Sequence, residues 1–158
     1  MGYMSMFKDY RNTLMKALCS SKDIVNLLKN TNEDSPTLPD KSLLYDHIYP
    51  YPFIPQADEA AKTYVGVRLT VPQVGSKTFK TIRLTAFIFT HYSLMRVPGG
   101  LRVDLLADAI DSVLNGSLEY GLGHVELKDV DDVHPAKDYY GVVLTYDITD
   151  WNRVSKLQ

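Results

Sequence analysis

The chain has 158 residues, a formal net charge of -2, 45% hydrophobic residues and 23% charged residues. That is enough chain for one domain, 1–158, with a core of its own, and the composition is globular, not disordered. The near-neutral balance supplies no basic field to gather nucleic acid, and the single cysteine, Cys19, excludes an internal disulfide and argues against a cysteine-based zinc site.

Residues 3–30 are predicted to be helical. Lys8, Asp9, Arg11 and Lys16 break the apolar run that a signal peptide needs. No segment approaches the roughly 20 apolar residues that span a membrane. The expectation is therefore a chain with no membrane partner that stays in the cytoplasm unless it leaves inside a larger particle. Phe7, Tyr10, Leu14, Met15 and Leu18 recur at spacings of three and four and form one helical stripe. Ser20-Ser21 interrupts it. Ser20 can cap a second helix, with Asp23 in its first turn and Ile24, Val25, Leu27 and Leu28 as its buried face.

Residues 31–62 read as an irregular arm. Pro36 and Pro39 punctuate a polar stretch, and Tyr45, His47, Tyr49, Pro50, Tyr51, Pro52, Phe53 and Pro55 follow. Proline fixes φ and removes backbone donors, so this stretch suits an ordered edge or arm better than a central strand.

Residues 63–152 are predicted as a sheet plus a helix. Val65, Val67, Leu69 and Val71 alternate with polar or small neighbours at the period of a half-buried strand. Val74 to Lys77 supplies the turn. The return strand has Ile82, Leu84, Ala86 and Ile88 on one face, and Thr81, Arg83, Thr85, Phe87 and Phe89 on the other. Residues 101–114 form an amphipathic helix ended by Asn115-Gly116. Strands near 123–128 and 139–149 close the chain. The expected fold class is α+β: N-terminal helices, then a mostly antiparallel four-stranded sheet with a helix packed on one face, in α-β-β-α-β-β order.

The polar patterns hold little chemistry. Asp104, Asp108 and Asp111 share one side of the long helix. Such a carboxylate cluster can bind a divalent cation or face a basic partner, but charge on the non-core side of a helix is the ordinary pattern. Asp129, Asp131, Asp132 and His134 read as an acidic loop without the glycine and distal glutamate of a calcium-binding loop. His47, His91, His124 and His134 are scattered, and no serine sits in a G-x-S-x-G elbow. Gly99-Gly100 and Gly121-Leu122-Gly123 read as turns, not phosphate loops. No enzyme, catalytic residue, cofactor or metal is expected. Arg68, Lys77, Lys80 and Arg83 near Phe79, Phe87 and Phe89 leave open a module that binds single-stranded nucleic acid, although the paired motifs of an RNA-recognition sheet are missing. The Tyr/Pro stretch suits an interface, a cover for the domain's own core, or both.

In this order, Phe79-Lys80-Thr81-Ile82-Arg83-Leu84, Ile88-Phe89-Thr90-His91, Leu101-Arg102-Val103-Asp104-Leu105-Leu106, Ile110 to Gly116, Gly121 to Leu127 and Tyr140 to Asn152 resemble a family of tailed-bacteriophage neck and tail proteins. The resemblance covers about residues 45–152 and is nearest to the tail terminator, or tail-completion, proteins. It implies a small α+β subunit that assembles into a homo-oligomeric ring, usually a hexamer. Such a ring caps the tail tube, stops its growth and meets the head connector or stopper protein. DNA is only passing cargo, and the location is the virion neck or tail after assembly in the host cytoplasm. Another head–tail connector or neck component is the alternative. On this reading Tyr45, Tyr49, Tyr51, Phe53, Arg68, Arg83, Phe87 and Phe89 are the expected interface residues, and Asp104, Asp108 and Asp111 the residues expected to face a lumen.

Overall fold

The structure, a computed structural model of the full chain, describes residues 5–56, 59–73, 79–120 and 123–151. The expected hairpin turn at Val74 to Lys77 and the pair Gly121-Leu122 lie outside the described residues. The fold is α+β. Helix α1 (Ser5–Cys19) and helix α2 (Lys22–Lys29) precede strand β1 (Ile48–Tyr49). Strands β2 (Thr63–Gln73) and β3 (Phe79–His91) follow, then a small ribbon of β4 (Arg96–Val97) and β5 (Gly100–Leu101). Helix α3 (Arg102–Leu114) and strands β6 (Glu126–Val133) and β7 (Tyr139–Trp151) complete the order.

The helical segment breaks where the two serines stand, but Ser21 caps α2, accepting from the Ile24 amide at 3.4 Å. Ser20 instead donates back to the Lys16 carbonyl at 2.7 Å and finishes α1. Asn30 then stops α2 in a left-handed conformation, φ 56°, which asparagine tolerates.

The main sheet has five strands in the order β1-β2-β3-β7-β6, not the four expected. The four long strands are antiparallel as expected. The fifth, β1, adds in parallel on the outside of β2, with Ile48 opposite Val65 and Tyr49 opposite Gly66. Residues 31–62 are otherwise mostly irregular, apart from a short 3-10 turn at Lys41–Leu43.

Alternation divides the sheet. Val65, Val67, Ile82, Leu84, Ala86 and Ile88 are fully buried toward the helices. There they meet Leu14, Leu18, Ile24, Leu106, Ile110 and Leu114, and Tyr146 and Ile148 of β7 join the same cluster. Each such aliphatic side chain contributes roughly 1.5–3 kcal/mol when removed from water. Helix α3 lies over β3 and β7, α2 packs on α3 and β2, and α1 packs on both helices. The core stripe of α3 is Val103, Leu106, Ile110 and Leu114, whereas Leu101 is exposed and Leu105, Ala109 and Val113 are only half-buried. Arg102, buried at the start of α3, reaches across to close α2. Its guanidinium donates to the Leu27 carbonyl at 2.6 Å, the Asn30 side chain at 2.6 Å and the Leu94 carbonyl at 2.7 Å. A cation at a helix C-terminus is favourable, although burial pulls its pKa below the usual arginine value.

Candidate functional site: the uncovered sheet face and its edges

The helices cover one face of the sheet. On the other face the register aligns Tyr64, Phe89 and Gly141, then Gly66, Phe87 and Val143, then Arg68, Thr85 and Thr145, then Thr70, Arg83 and Asp147. The arm covers one end of this face. At Gly66 an added Cβ would stand 3.0 Å from the Tyr51 carbonyl oxygen and 3.5 Å from the Pro52 Cα. Glycine at that position lets the arm backbone cross the strand in contact.

The aromatic residues of the arm therefore separate into two groups. Tyr49 and Phe53 stack with ring centroids 3.9 Å apart and planes within 1°. Phe53 leans on Tyr64 at 5.1 Å, Tyr64 on Phe89 at 5.5 Å, and Phe89 meets Tyr139 edge-on at 6.1 Å. Tyr49 and Phe89 thus belong to a second, aromatic core of the domain itself, with Tyr64 and Tyr139. Burial pushes the Tyr64 phenol well above its ordinary pKa. Tyr45 and Tyr51 remain outside, 63% and 46% exposed, against each other and the edge of Tyr49. Tyr45 holds a left-handed φ of 61°, fixed by its amide bonding the Ile48 carbonyl at 2.9 Å.

Beyond the arm the face is open and nearly neutral. The Arg68 guanidinium stands 5.9 Å from the Phe87 ring centroid, within the range of a cation–π contact. Arg83 makes a forked contact with Asp147, 2.9 Å and 3.3 Å. Lys80 is buried on the helix side, opposite Asp150 in the register, and Lys77 lies outside the described residues. The basic hairpin seen in the sequence does not present a row of cations here.

The far edge is acidic. The expected acidic loop at Asp129, Asp131 and Asp132 is strand β6, paired to β7 from Glu126 to Val133, with a register shift between Leu127 and Asp129. Every residue from Glu126 to Asp132 is exposed. Among the described residues no strand pairs with its outer edge. The register turns Leu127, Val130 and Asp132 toward the helix side and Glu126, Asp129 and Asp131 toward the open face. The helix layer stops short of them, so Val130 is 56% exposed. Charge and a bulge are the usual guards of such an edge. Lys128 is held by Glu126 at 2.7 Å, which leaves the aspartates without a cation among the described residues. Neither these aspartates nor any other described group of three His, Cys, Asp or Glu residues gathers closely enough to hold a metal ion.

The helix aspartates also separate. Asp104 and Asp108 are exposed, and Asp104 sits in the first turn of α3, where a negative charge is favourable. Asp111 is half-buried and accepts the Tyr146 hydroxyl at 2.7 Å. The histidines make structural hydrogen bonds, two within nearby turns and two between distant segments. His47 bonds the Thr63 carbonyl, His91 caps the turn at Ser93, His124 bonds the Gly116 carbonyl and His134 meets the Tyr92 hydroxyl. Sequence reading missed Tyr64 and Tyr139, whose role depends on the arm's path, and Leu127 and Val130, which show no alternation with buried neighbours.

Residues 21–148 match the YomW family, a phage-derived family. The chain belongs to the YomW family. The matched span runs from the cap of α2 into β7 and so takes in both edges of the sheet and the aromatic arm. No curated protein is similar enough to count as a match for this YomW-family chain.

Proposed function

We propose that this chain is a structural subunit of a phage neck or tail ring, of the tail-terminator kind, which caps the tail tube and joins it to the head connector. The observation that carries the reading is the pair of unlike edges on one sheet: on one side the acidic strand β6, whose outer edge has no partner among the described residues, and on the other the exposed tyrosines of the arm. A ring subunit needs two different side surfaces that complement each other, and a chain of a phage-derived family with such surfaces fits that requirement. Tyr45, Tyr51 and Arg68 are the exposed side chains offered for contacts with neighbours, tube protein or connector, with Phe87 half-buried beside Arg68. Asp104 and Asp108 suit a lumen wall, where like charge keeps passing DNA from sticking. The subunit acts by its contacts, without catalysis, in the virion neck after assembly in the host cytoplasm.

Deleting the gene tests the reading. Overlong tails, or heads and tails that fail to join, are expected, with rescue by the wild-type gene in trans. Tails of normal length with unjoined heads would move the chain to another connector or neck position. Normal joined particles would overturn the proposal. A module for single-stranded nucleic acid is the weaker reading, because Arg83 is neutralised by Asp147 and Lys80 is buried.

A further inference from the structure

A groove of about 830 Å³ runs between α1 and the segments that flank β1. Its apolar floor includes Met15, Cys19, Leu44 and Pro50, and its rim carries Lys8, Arg11, Lys16 and Lys41. Arg11 is anchored on the Pro50 carbonyl. Among the described residues no carboxylate lines the groove, and none makes a salt bridge to any of these four cations. Lys8 and Arg11 are three apart on one helix, a like-charge spacing that destabilises a helix standing alone. The groove is thus an apolar trough with an uncompensated basic rim.

The complement is on the same chain. Strand β6 offers exposed Leu127 and Val130 on one side, aspartates at 129, 131 and 132 that have no cation among the described residues, and an outer edge with no strand partner there, although the Asp131 carboxylate accepts the Asp132 amide at 2.8 Å. Within one copy the two cannot meet, because β1 and β6 are opposite ends of the sheet order. We infer that β6 of one copy docks into the α1 groove of the next, with Leu127 and Val130 on the floor and the aspartates against the rim lysines. The occupant is a second copy, since apolar side chains, charge sign and an edge in need of covering coincide on one strand. The contact is heterologous, so it closes into a ring or runs on as a filament according to its rotation. It rests on the self-assembly part of the ring reading and is independent of where in a particle the ring sits.

Sedimentation of the full chain over a range of concentration and salt tests it. Wild type is expected to associate with rising concentration and to dissociate as salt screens the contact. The groove variant Lys16→Glu/Lys41→Glu and the strand variant Asp131→Lys/Asp132→Lys should each associate at least about tenfold more weakly, with unchanged circular dichroism. Mixing the two restores association, because every contact between unlike copies again pairs opposite charges. Wild type that stays monomeric up to millimolar concentration overturns the proposal. So does either variant associating like wild type, or a mixture that stays dissociated. Association indifferent to both reversals, in a chain whose deletion still gives overlong tails, would sink this contact and leave the ring reading standing.

Discussion

The Tyr146 hydroxyl donates to the Asp111 carboxylate at 2.7 Å, tying the inner face of β7 to the last turns of α3. This bond gives Asp111 a role that Asp104 and Asp108 do not share. Replacing Asp111 by alanine leaves a buried hydroxyl unsatisfied and should cost about 1–3 kcal/mol. Neutralising Asp104 or Asp108 should stay within about 0.5 kcal/mol. Urea unfolding of the three variants checks the ranking; equal effects would remove the distinction.

A second hydroxyl behaves in the opposite way. Tyr120 is buried, and its hydroxyl has no hydrogen-bond partner among the described residues. Tyr120→Phe should therefore be neutral or stabilising by up to about 1 kcal/mol, since it removes an unmet polar group and keeps the ring. A lower thermal midpoint than wild type would contradict this.

Alkaline pH should act through the same side chains. Burial pushes the Tyr120 phenol up to about 12 and raises Tyr64 and Tyr146 further, the last with help from Asp111. Groups whose folded pKa exceeds the unfolded value stabilise the fold below the unfolded pKa of about 10 and lose that contribution as pH rises through the folded value. Stability should thus fall steadily above about pH 10. Tyrosinate absorbance from these three should appear together with loss of circular dichroism, and ionisation before unfolding would disprove the coupling.

Gly66 and Gly141 should rank by what a methyl group would strike. At Gly141 a Cβ would lie 1.7 Å from the Ile88 carbonyl oxygen, in the middle of the β3–β7 pairing. At Gly66 it would press on the arm backbone at 3.0 Å. Gly141→Ala should reach or exceed the upper end of the roughly 1–3 kcal/mol that overpacking costs. Gly66→Ala should cost less overall while exposing the arm to limited proteolysis. An arm equally protected in both variants would show that it is not held by the Gly66 crossing.

Arg102 closes α2 with three hydrogen bonds from one guanidinium. Arg102→Ala should cost about 3 kcal/mol, and Arg102→Lys should recover only part, because an ammonium cannot reproduce the fork. Chemical denaturation of both variants measures it; full recovery by lysine would show that charge alone suffices.

The long strands and α3 are legible because a buried stripe imposes its period on the residues. Val65, Val67 and Leu69, and Ile82 through Ile88, alternate for that reason. Strand β1 is illegible because two residues have no period; Ile48 and Tyr49 become a strand only when β2 is beside them. Strand β6 is legible only where it overlaps the strand expected near 123–128; neither of its sides enters the core, so Asp129, Asp131 and Asp132 look like a loop until β7 supplies the hydrogen bonds. The aromatic content of the arm is plain in the sequence. Which rings it buries is not, since that depends on the crossing at Gly66. The burial of Lys80 is hidden likewise: in the sequence it joins Arg68, Lys77 and Arg83 as hairpin charge, and only the fold turns it inward and brings Asp150 opposite it.

Strand β6 has one more consequence. It hangs from β7 by its backbone and lends the interior almost no side chain. Its sequence is thus uncoupled from the packing that keeps the domain folded. Lineages can rewrite this strip to follow a changing neighbour while the rest of the domain stands still, and an engineer can recode it for new specificity at little risk to folding.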